Sequence, residues 1–551
     1  MANNVMVSGR RTRVAPIAVP KTTRKHDVRV LTSLPAGRMV PVVAIPLLRE
    51  DALRGSRLRL SFESMETAEI LMNAINVKVR AHLVPHLAFE RFSGMDELNR
   101  AYEGLPNQEG GAVTPYIVKE AYNPTGNDIM KYLGKHAKTG TMVNTAYVEA
   151  YNVLWNWIAR NRSEDLPQRG INEKTLAPAF WMHGQFDHIV PDFDQAVIDG
   201  AAPLSSGTGY APVRGIYTRV TDSGSGPVDT NYKDASGATM PAGRSVATFS
   251  NTAPHGAYIM KREMAGQWIP DIRAELGEAG LTLSLASIEL ARKTQAFARL
   301  RAQYTGLTEE YLIDLLMDGI SVPEQSWRQP ILLGENATIF GMAKRYASDG
   351  DNLTESVVNG ATFVDLIVST PPVPCGGVVL VTVEILPEQL FERHRDPYLM
   401  TTDVAGLPQY LRDTLDPEKV EVVTGGMIDS DHDNPDATFG YAPLNHWWNI
   451  AQPCVGGVFH RPEVDAPFDE DRQRLWAVEQ KNPQLGEDFY ISTNIHTKPF
   501  VVTNRDPFEV IVRGGCLITG NTVFGGALVE ASNDYEEVLE EAPTERIDKE
   551  A

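Results

Sequence analysis

The chain has 551 residues, 42% of them hydrophobic, with 44 glycines, 36 prolines and a formal net charge of −20. That is enough apolar material for a sizeable core, in a chain too rich in turn residues for a helical bundle. No apolar run approaches the roughly eighteen residues of a membrane span and the N-terminus carries no signal-peptide core, so a soluble, non-secreted protein is expected. Cys375, Cys454 and Cys516 lie far apart and form no C-x-x-C pair, which argues against a zinc ribbon or a disulfide framework. The sequons at Asn161, Asn336 and Asn352 then carry no weight.

Residues 1–55 form a candidate basic N-terminal arm. Its first thirty positions hold Arg10, Arg11, Arg13, Lys21, Arg24, Lys25 and Arg29 against one acid, Asp27. Such a cluster suits sequence-independent contact with nucleic-acid phosphates, and equally a solvated terminus or a tie between neighbouring subunits. From Arg57 to Glu63 the chain alternates, with Leu58, Leu60 and Phe62 set against Arg57, Arg59 and Ser61. Residues 75–83 repeat the pattern, so two antiparallel strands with one wet face are expected. "NDIMKYLG" is a short helix capped by Asn127/Asp128 and ended by Gly134. Thr145 is placed to cap the next helix, "AYNVLWNWIARNR", where Tyr151, Leu154, Trp155 and Ile158 make one stripe and Trp157 widens it. Residues 201–256 are Gly-, Ser-, Thr- and Pro-rich with isolated tyrosines; a segment that cannot bury its own core reads as a surface projection. Helices follow over about 285–303 and from Thr308, and buried strands at "GGVVLVTVEIL" and "FEVIVRGGCLITGNTVF". Residues 531–551 form an acidic tail, with eight acids from Asp534 to Glu550 against Arg546 and Lys549. Strands early, helices in the middle and strands late are not the rhythm of a parallel sheet; one β-sandwich with expanded loops is expected.

No nucleophile elbow, phosphate loop, H-E-x-x-H pair or dinucleotide fingerprint occurs, so neither catalysis nor a cofactor is expected. The nearest metal candidate is Asp429, Asp431 and Asp433, but Asn434 stands where a calcium loop needs Gly and Gly440 where it needs Glu. An acidic turn around Pro435 is the simpler reading, with His432 in solvent. The aromatic groups are more informative: Tyr151, Trp155 and Trp157, then Trp447 and Trp448, and Phe439 with Tyr441. They suit either satellite core under long loops or a subunit interface.

"DIMKYLG" followed by "AYVEAYNVLWNWIARNR" resembles a region of the major capsid proteins of the Microviridae, especially the gokushovirus-like branch. There a helix ending in glycine precedes a run close to A-Y-N-L-I-W-N-E-W-F-R. Tyr151, Asn152, Trp155, Asn156 and Arg160 match, while Trp157, Ile158 and Ala159 stand at the family's E-W-F. "LARKTQAFARLRAQYTGLTEEYLIDLL", "SWRQPILLG", "FGYAPLNHWW" and "DPFEVIVRG" extend the likeness, colinear beyond residue 56. Residues before 40 and the 201–256 loop match no family pattern.

The resemblance implies an eight-stranded viral jelly roll over 56–530 with long, partly helical insertions, in a T = 1 icosahedral shell of sixty copies. It implies a circular single-stranded DNA phage genome inside, and as partners a small basic DNA-binding protein, a scaffolding protein, a DNA pilot protein and a host cell-surface receptor. The virion, assembled in the bacterial cytoplasm, would be its location. The 201–256 insertion would project near the threefold axes, with Tyr210, Tyr217 and Tyr232 as candidate host contacts. A trimeric phage spike, a glycan-binding β-protein and a jelly-roll carbohydrate-active enzyme are the alternatives.

Overall fold

The computed structural model describes residues 19–192 and 322–525, apart from 108–110, 183–185, 187, 323, 347–355, 417, 450–452, 461–471, 479–481 and 494, together with short strands and helices between 205 and 320. Two compact units are present, one of residues 1–192 and 321–551, the other of residues 193–320.

The first unit is built on nine strands: β1 (Thr22–Leu34), β2 (Met39–Leu47), β3 (Ala52–Ser64), β4 (Ile75–Pro85), β5 (Ile331–Ile339), β6 (Gly341–Tyr346), β7 (Ser356–Val368), β8 (Gly377–Pro387) and β9 (Phe508–Gly520). They form a five-stranded sheet in the order β1-β9-β3-β7-β6 and a four-stranded sheet in the order β5-β4-β8-β2. Every pairing in both sheets is antiparallel. One continuous hydrophobic core draws on both, including Leu58, Leu60 and Phe62 of β3, Val77 and Val79 of β4, Val381 and Val383 of β8, and Val510 and Val512 of β9. An antiparallel β core is therefore present, as the alternating patterns suggest.

The 1–55 arm needs correction. Thr22–Leu34 and Met39–Leu47 are strands: alternate positions of β1 turn Val28, Val30 and Leu34 toward the core while its backbone pairs along β9 from Thr22↔Gly520 to Leu34↔Phe508. Lys25 and Arg29 are on the outward half of an alternating strand and Arg24 on the inward half, which a count of charges mistakes for a tail.

The five-stranded sheet has the expected open face: Arg57, Arg59 and Ser61 of β3 are exposed between buried Leu58, Leu60 and Phe62. The four-stranded sheet does not. His82 is buried, and Lys78 and Arg80 are half-buried. All eleven residues of β8 are buried. The cover is the Ala146–Arg162 helix, which packs across β4 and β8. Its Tyr151 hydroxyl donates to the Met39 carbonyl at 2.6 Å and accepts from the Ala177 amide at 2.8 Å. Trp155 Nε1 donates to the Pro178 carbonyl at 2.9 Å, and its ring stacks on Phe180 at 5.5 Å. Asn152 donates to the Ile171 and Glu173 carbonyls, while Asn156 bonds the Arg169 backbone in both directions. Thr145 holds the N-cap position, but its hydroxyl donates to the Val118 carbonyl and to Glu149; Asn144 accepts from the Ala146 amide instead. Asn127 caps the earlier helix as expected, accepting from Met130 N at 3.0 Å.

In β9 a Cβ on Gly514 would stand 2.3 Å from the Arg57 carbonyl oxygen of β3. Glycine lets the two backbones approach there. Gly514→Ala is expected to cost about 2 kcal/mol through forced strand separation, seen as a lowered thermal midpoint.

The second unit contains the paired strands Ser205–Ser206/Leu281–Thr282, Tyr210–Pro212/Arg273–Glu275 and Lys261–Met264/Gln267–Pro270, and the helices Leu285–Ala302 and Glu310–Met317. Most of the 201–256 projection lies outside the described residues, as do Arg10, Arg11 and Arg13 and the 531–551 tail. No helix among the described residues is long and apolar enough to cross a membrane.

Candidate assembly interface

The aromatic residues expected at a subunit interface separate into three groups. Tyr151 and Trp155 are fully enclosed by their own chain, so the interface assignment is corrected for both: they are core between the helix, the edge of β2 and the 177–180 segment. Trp157 is half-buried, edge-on to His82 at 6.0 Å, and belongs to the same cover. Trp447 is buried in an aromatic group with Phe186, Phe391 and Phe489 that is continuous with the main core, and Phe439 packs on Phe489 at 5.4 Å. Trp448 alone of the five is exposed, at 40%, and packs edge-on against Tyr398 at 6.4 Å.

Tyr398 leads into the largest concentration of exposed apolar side chains near it. The segment 396–415 is stitched by its polar residues. Asp396 caps Pro397–Met400 by accepting from Leu399 N at 2.8 Å, with proline at the first helical position. Asp403 accepts from Gly406 N, and Arg412 donates to the Ala405 and Leu407 carbonyls. Asp413 accepts from Gln409 N and from Asn445 Nδ2. The Asn445 and Arg412 hydrogen bonds hold the Asp413 carboxyl below its ordinary value. With backbone and polar groups so engaged, the apolar side chains are left outside: Tyr410 is 86% exposed, Leu399 79% and Leu415 73%, with Tyr398, Val404 and Leu411 close behind. Exposed apolar side chains gathered in this way make the segment a candidate contact surface. It is absent from the sequence expectations because "DPYLMTTDVAGLPQYLRDTL" has neither period two nor a helical stripe. The one signal was its density of large apolar residues between proline and aspartate punctuation.

The acidic turn holds no ion-binding geometry. Asp429 is buried in an ion pair with Arg393, whose Nε donates at 2.9 Å, while Asp433 accepts from Asn482 Nδ2 at 2.5 Å. Asp431 N donates to Asp429 Oδ1 and its side chain is exposed. His432, expected in solvent, is half-buried, its Nδ1 accepting from Asn434 N. Among the described residues no group of three or more His, Cys, Asp or Glu converges on one point. A cleft of about 1150 Å³ opens where the 86–147 excursion meets the sandwich, between Arg49, His86, Arg91, Tyr102 and Tyr116. Its two carboxylates, Glu50 and Asp51, are neighbours on one turn, and Asp51 is engaged by Arg24 and by Leu48 N. They do not face each other across the opening as a glycosidase pair must.

The basic residues of 21–29 also divide. Lys21 reaches Glu50 at 3.9 Å, Arg24 turns inward onto Asp51 at 2.5 Å, and Lys25 pairs with Asp27 at 3.0 Å. Arg29 has no such carboxylate among the described residues, and stands directly opposite Arg513 of β9. Tyr210 is in a short strand opposite Glu275; Tyr217 and Tyr232 lie outside the described residues. Cys375 and Cys516 are buried and Cys454 is exposed, all as free thiols.

Set against models of known protein families and against curated proteins, the sequence matches none of them.

Proposed function

We propose that this chain is a coat protein: a jelly roll that self-assembles into a closed, T = 1-type icosahedral shell around a single-stranded DNA genome, similar to the major capsid proteins of the Microviridae. The single observation that carries the self-assembly reading is the exposed patch of Tyr398, Leu399, Val404, Tyr410, Leu411, Leu415 and Trp448 on a hydrogen-bonded platform. Covering these side chains with a second copy is worth on the order of 10 kcal/mol gross, at roughly 1.5–3 kcal/mol for each large apolar residue, before association costs.

The strand order supports the jelly-roll reading. With β6 set aside as an extra edge strand, the eight others run first, eighth, third, sixth in one sheet and second, seventh, fourth, fifth in the other. That is the order a doubly wound Greek-key sandwich takes, and viral coats use it widely. The heterologous contacts that close a shell then fall to loops and excursions, where the patch lies.

Negative-stain microscopy and sedimentation of the purified chain test this. Particles of uniform diameter are expected. Leu399→Glu combined with Tyr410→Glu should leave the unfolding free energy of the unassembled chain within about 0.5 kcal/mol of the parent, since both side chains are exposed. The same pair should abolish particles. A monodisperse monomer at high concentration, with these side chains intact, overturns the proposal.

A further inference from the structure

The open side of the five-stranded sheet carries three arginines abreast. Arg29 on β1 is directly opposite Arg513 on β9, and Arg513 is directly opposite Arg59 on β3. All three are exposed on the outward face. Arg59 shares Asp365 of β7 with Arg57, at 3.0 Å for each. Among the described residues, Arg29 and Arg513 have no carboxylate. Like charges directly opposite on neighbouring strands oppose pairing, and strands lie about 4.8 Å apart, so this row costs stability in a chain whose net charge is −20. No carboxylate among the described residues offsets that cost at Arg29 or Arg513; an external anion would.

The flanking rows narrow the class of anion. On one side of the arginines run Leu31, Ile511 and Phe363, and on the other Ile367 lies directly opposite Arg57 in a row that also holds Asp27, paired with Lys25; all of these are exposed. The Arg59 guanidinium lies 5.5 Å from the Phe363 ring centre. A row of cations about 10 Å long, across three strands, suits an extended polyanion better than a lone ion. An aromatic and aliphatic surface beside it suits bases that are unpaired and free to lie flat.

We infer that this sheet face, through Arg29, Arg513 and Arg59 with Phe363 beside them, binds the backbone and bases of a single-stranded nucleic acid without reading its sequence. The inference deepens the container reading by locating its cargo contact, and it rests on that reading only for the source of the strand.

The test is fluorescence anisotropy of the full chain with a dye-labelled thirty-nucleotide oligothymidylate, across a salt series. Arg29→Gln combined with Arg513→Gln should weaken binding at least tenfold at low salt. It should also make the slope of log K against log salt shallower by about 1.4, two phosphates at roughly 0.7 each. Phe363→Ala should lose several-fold with the slope unchanged, because it removes stacking and no charge. Lysine at positions 29 and 513 should keep the slope. The glutamine variant relieves repulsion, so its melting midpoint should equal or exceed the parent's, which separates lost binding from lost fold. Unchanged affinity and slope in the glutamine variant overturn the inference. So does binding that emerges only after residues 531–551 are removed, which would assign the face to that acidic segment. Particles that still form while binding is unaltered sink this inference alone; lost particles with binding intact sink the shell alone.

Discussion

Trp155→Ala is expected to lower the free energy of unfolding by about 4 kcal/mol, within the range for truncating a buried tryptophan. The indole is 1% exposed, lies against Phe180 and Arg169, and donates the hydrogen bond that satisfies the Pro178 carbonyl. Alanine leaves a cavity and a buried carbonyl without its donor, and both effects act in one direction. Urea denaturation of unassembled protein measures it. Because the contacts are within one chain, the shift in midpoint should be the same at protein concentrations tenfold apart. A shift that depends on concentration would return Trp155 to a subunit interface. Trp155→Phe should lose less, since it keeps most of the stacking and forfeits the hydrogen bond.

Acidification is expected to destabilise the fold steeply between pH 6.5 and 4. His82, buried under the helix and beside Arg80, is pushed down to about 4 from its ordinary 6.5. His86, buried and near Arg91, is pushed down to about 4 as well. Burial is the larger cause in both, because it disfavours the charged ring. Below pH 6.5 the unfolded chain takes up protons at these positions that the folded chain refuses, so stability falls with pH until the folded rings protonate near 4. At 1.36 kcal/mol per unit, the two drops of about 2.5 units from 6.5 to about 4 amount to roughly 3 kcal/mol each. Glu384 acts in the opposite sense: burial raises its carboxyl above the ordinary value, so acid relieves a buried charge and offsets part of the loss. Guanidinium midpoints from pH 7.5 to 4 test the sign. A His82→Leu variant should flatten the acid limb by about half; an unchanged limb would show that neither the burial of His82 nor its neutrality matters.

Where one residue's surroundings follow from its neighbours in the chain, the sequence was informative. Leu58, Leu60 and Phe62 alternate with Arg57, Arg59 and Ser61, and period two is a property of any strand with one wet face. Asn127 caps because its side chain reaches an amide three residues on. The failures share another cause. The same alternation in 75–83 implied solvent beside His82, but a helix more than sixty residues later lies there, and no local pattern encodes a cover that distant. The Tyr151 and Trp155 stripe was legible as buried, while what buried it was not; the sheet of the same chain competes equally with a neighbour until coordinates decide. Arg24 and Arg29 look alike in the sequence. One is neutralised by Asp51 and the other stands in a row with Arg513, nearly five hundred residues away, because they fall on opposite sides of β1. The patch from Tyr398 to Leu415 went unseen because exposure of apolar residues has no periodic signature.

The pairing of β1 with β9 has a temporal consequence. A ribosome releases Thr22–Leu34 long before Phe508–Gly520, yet the latter is the strand that fills the gap between β1 and β3. Until it arrives the larger sheet lacks its second member, and β1 has no neighbour to pair with in that sheet. A nascent or prematurely terminated polypeptide therefore has neither a finished sandwich nor the arginine row. Any product that stops short of Phe508 is left with β1 unpaired in its sheet, whatever else of it has folded.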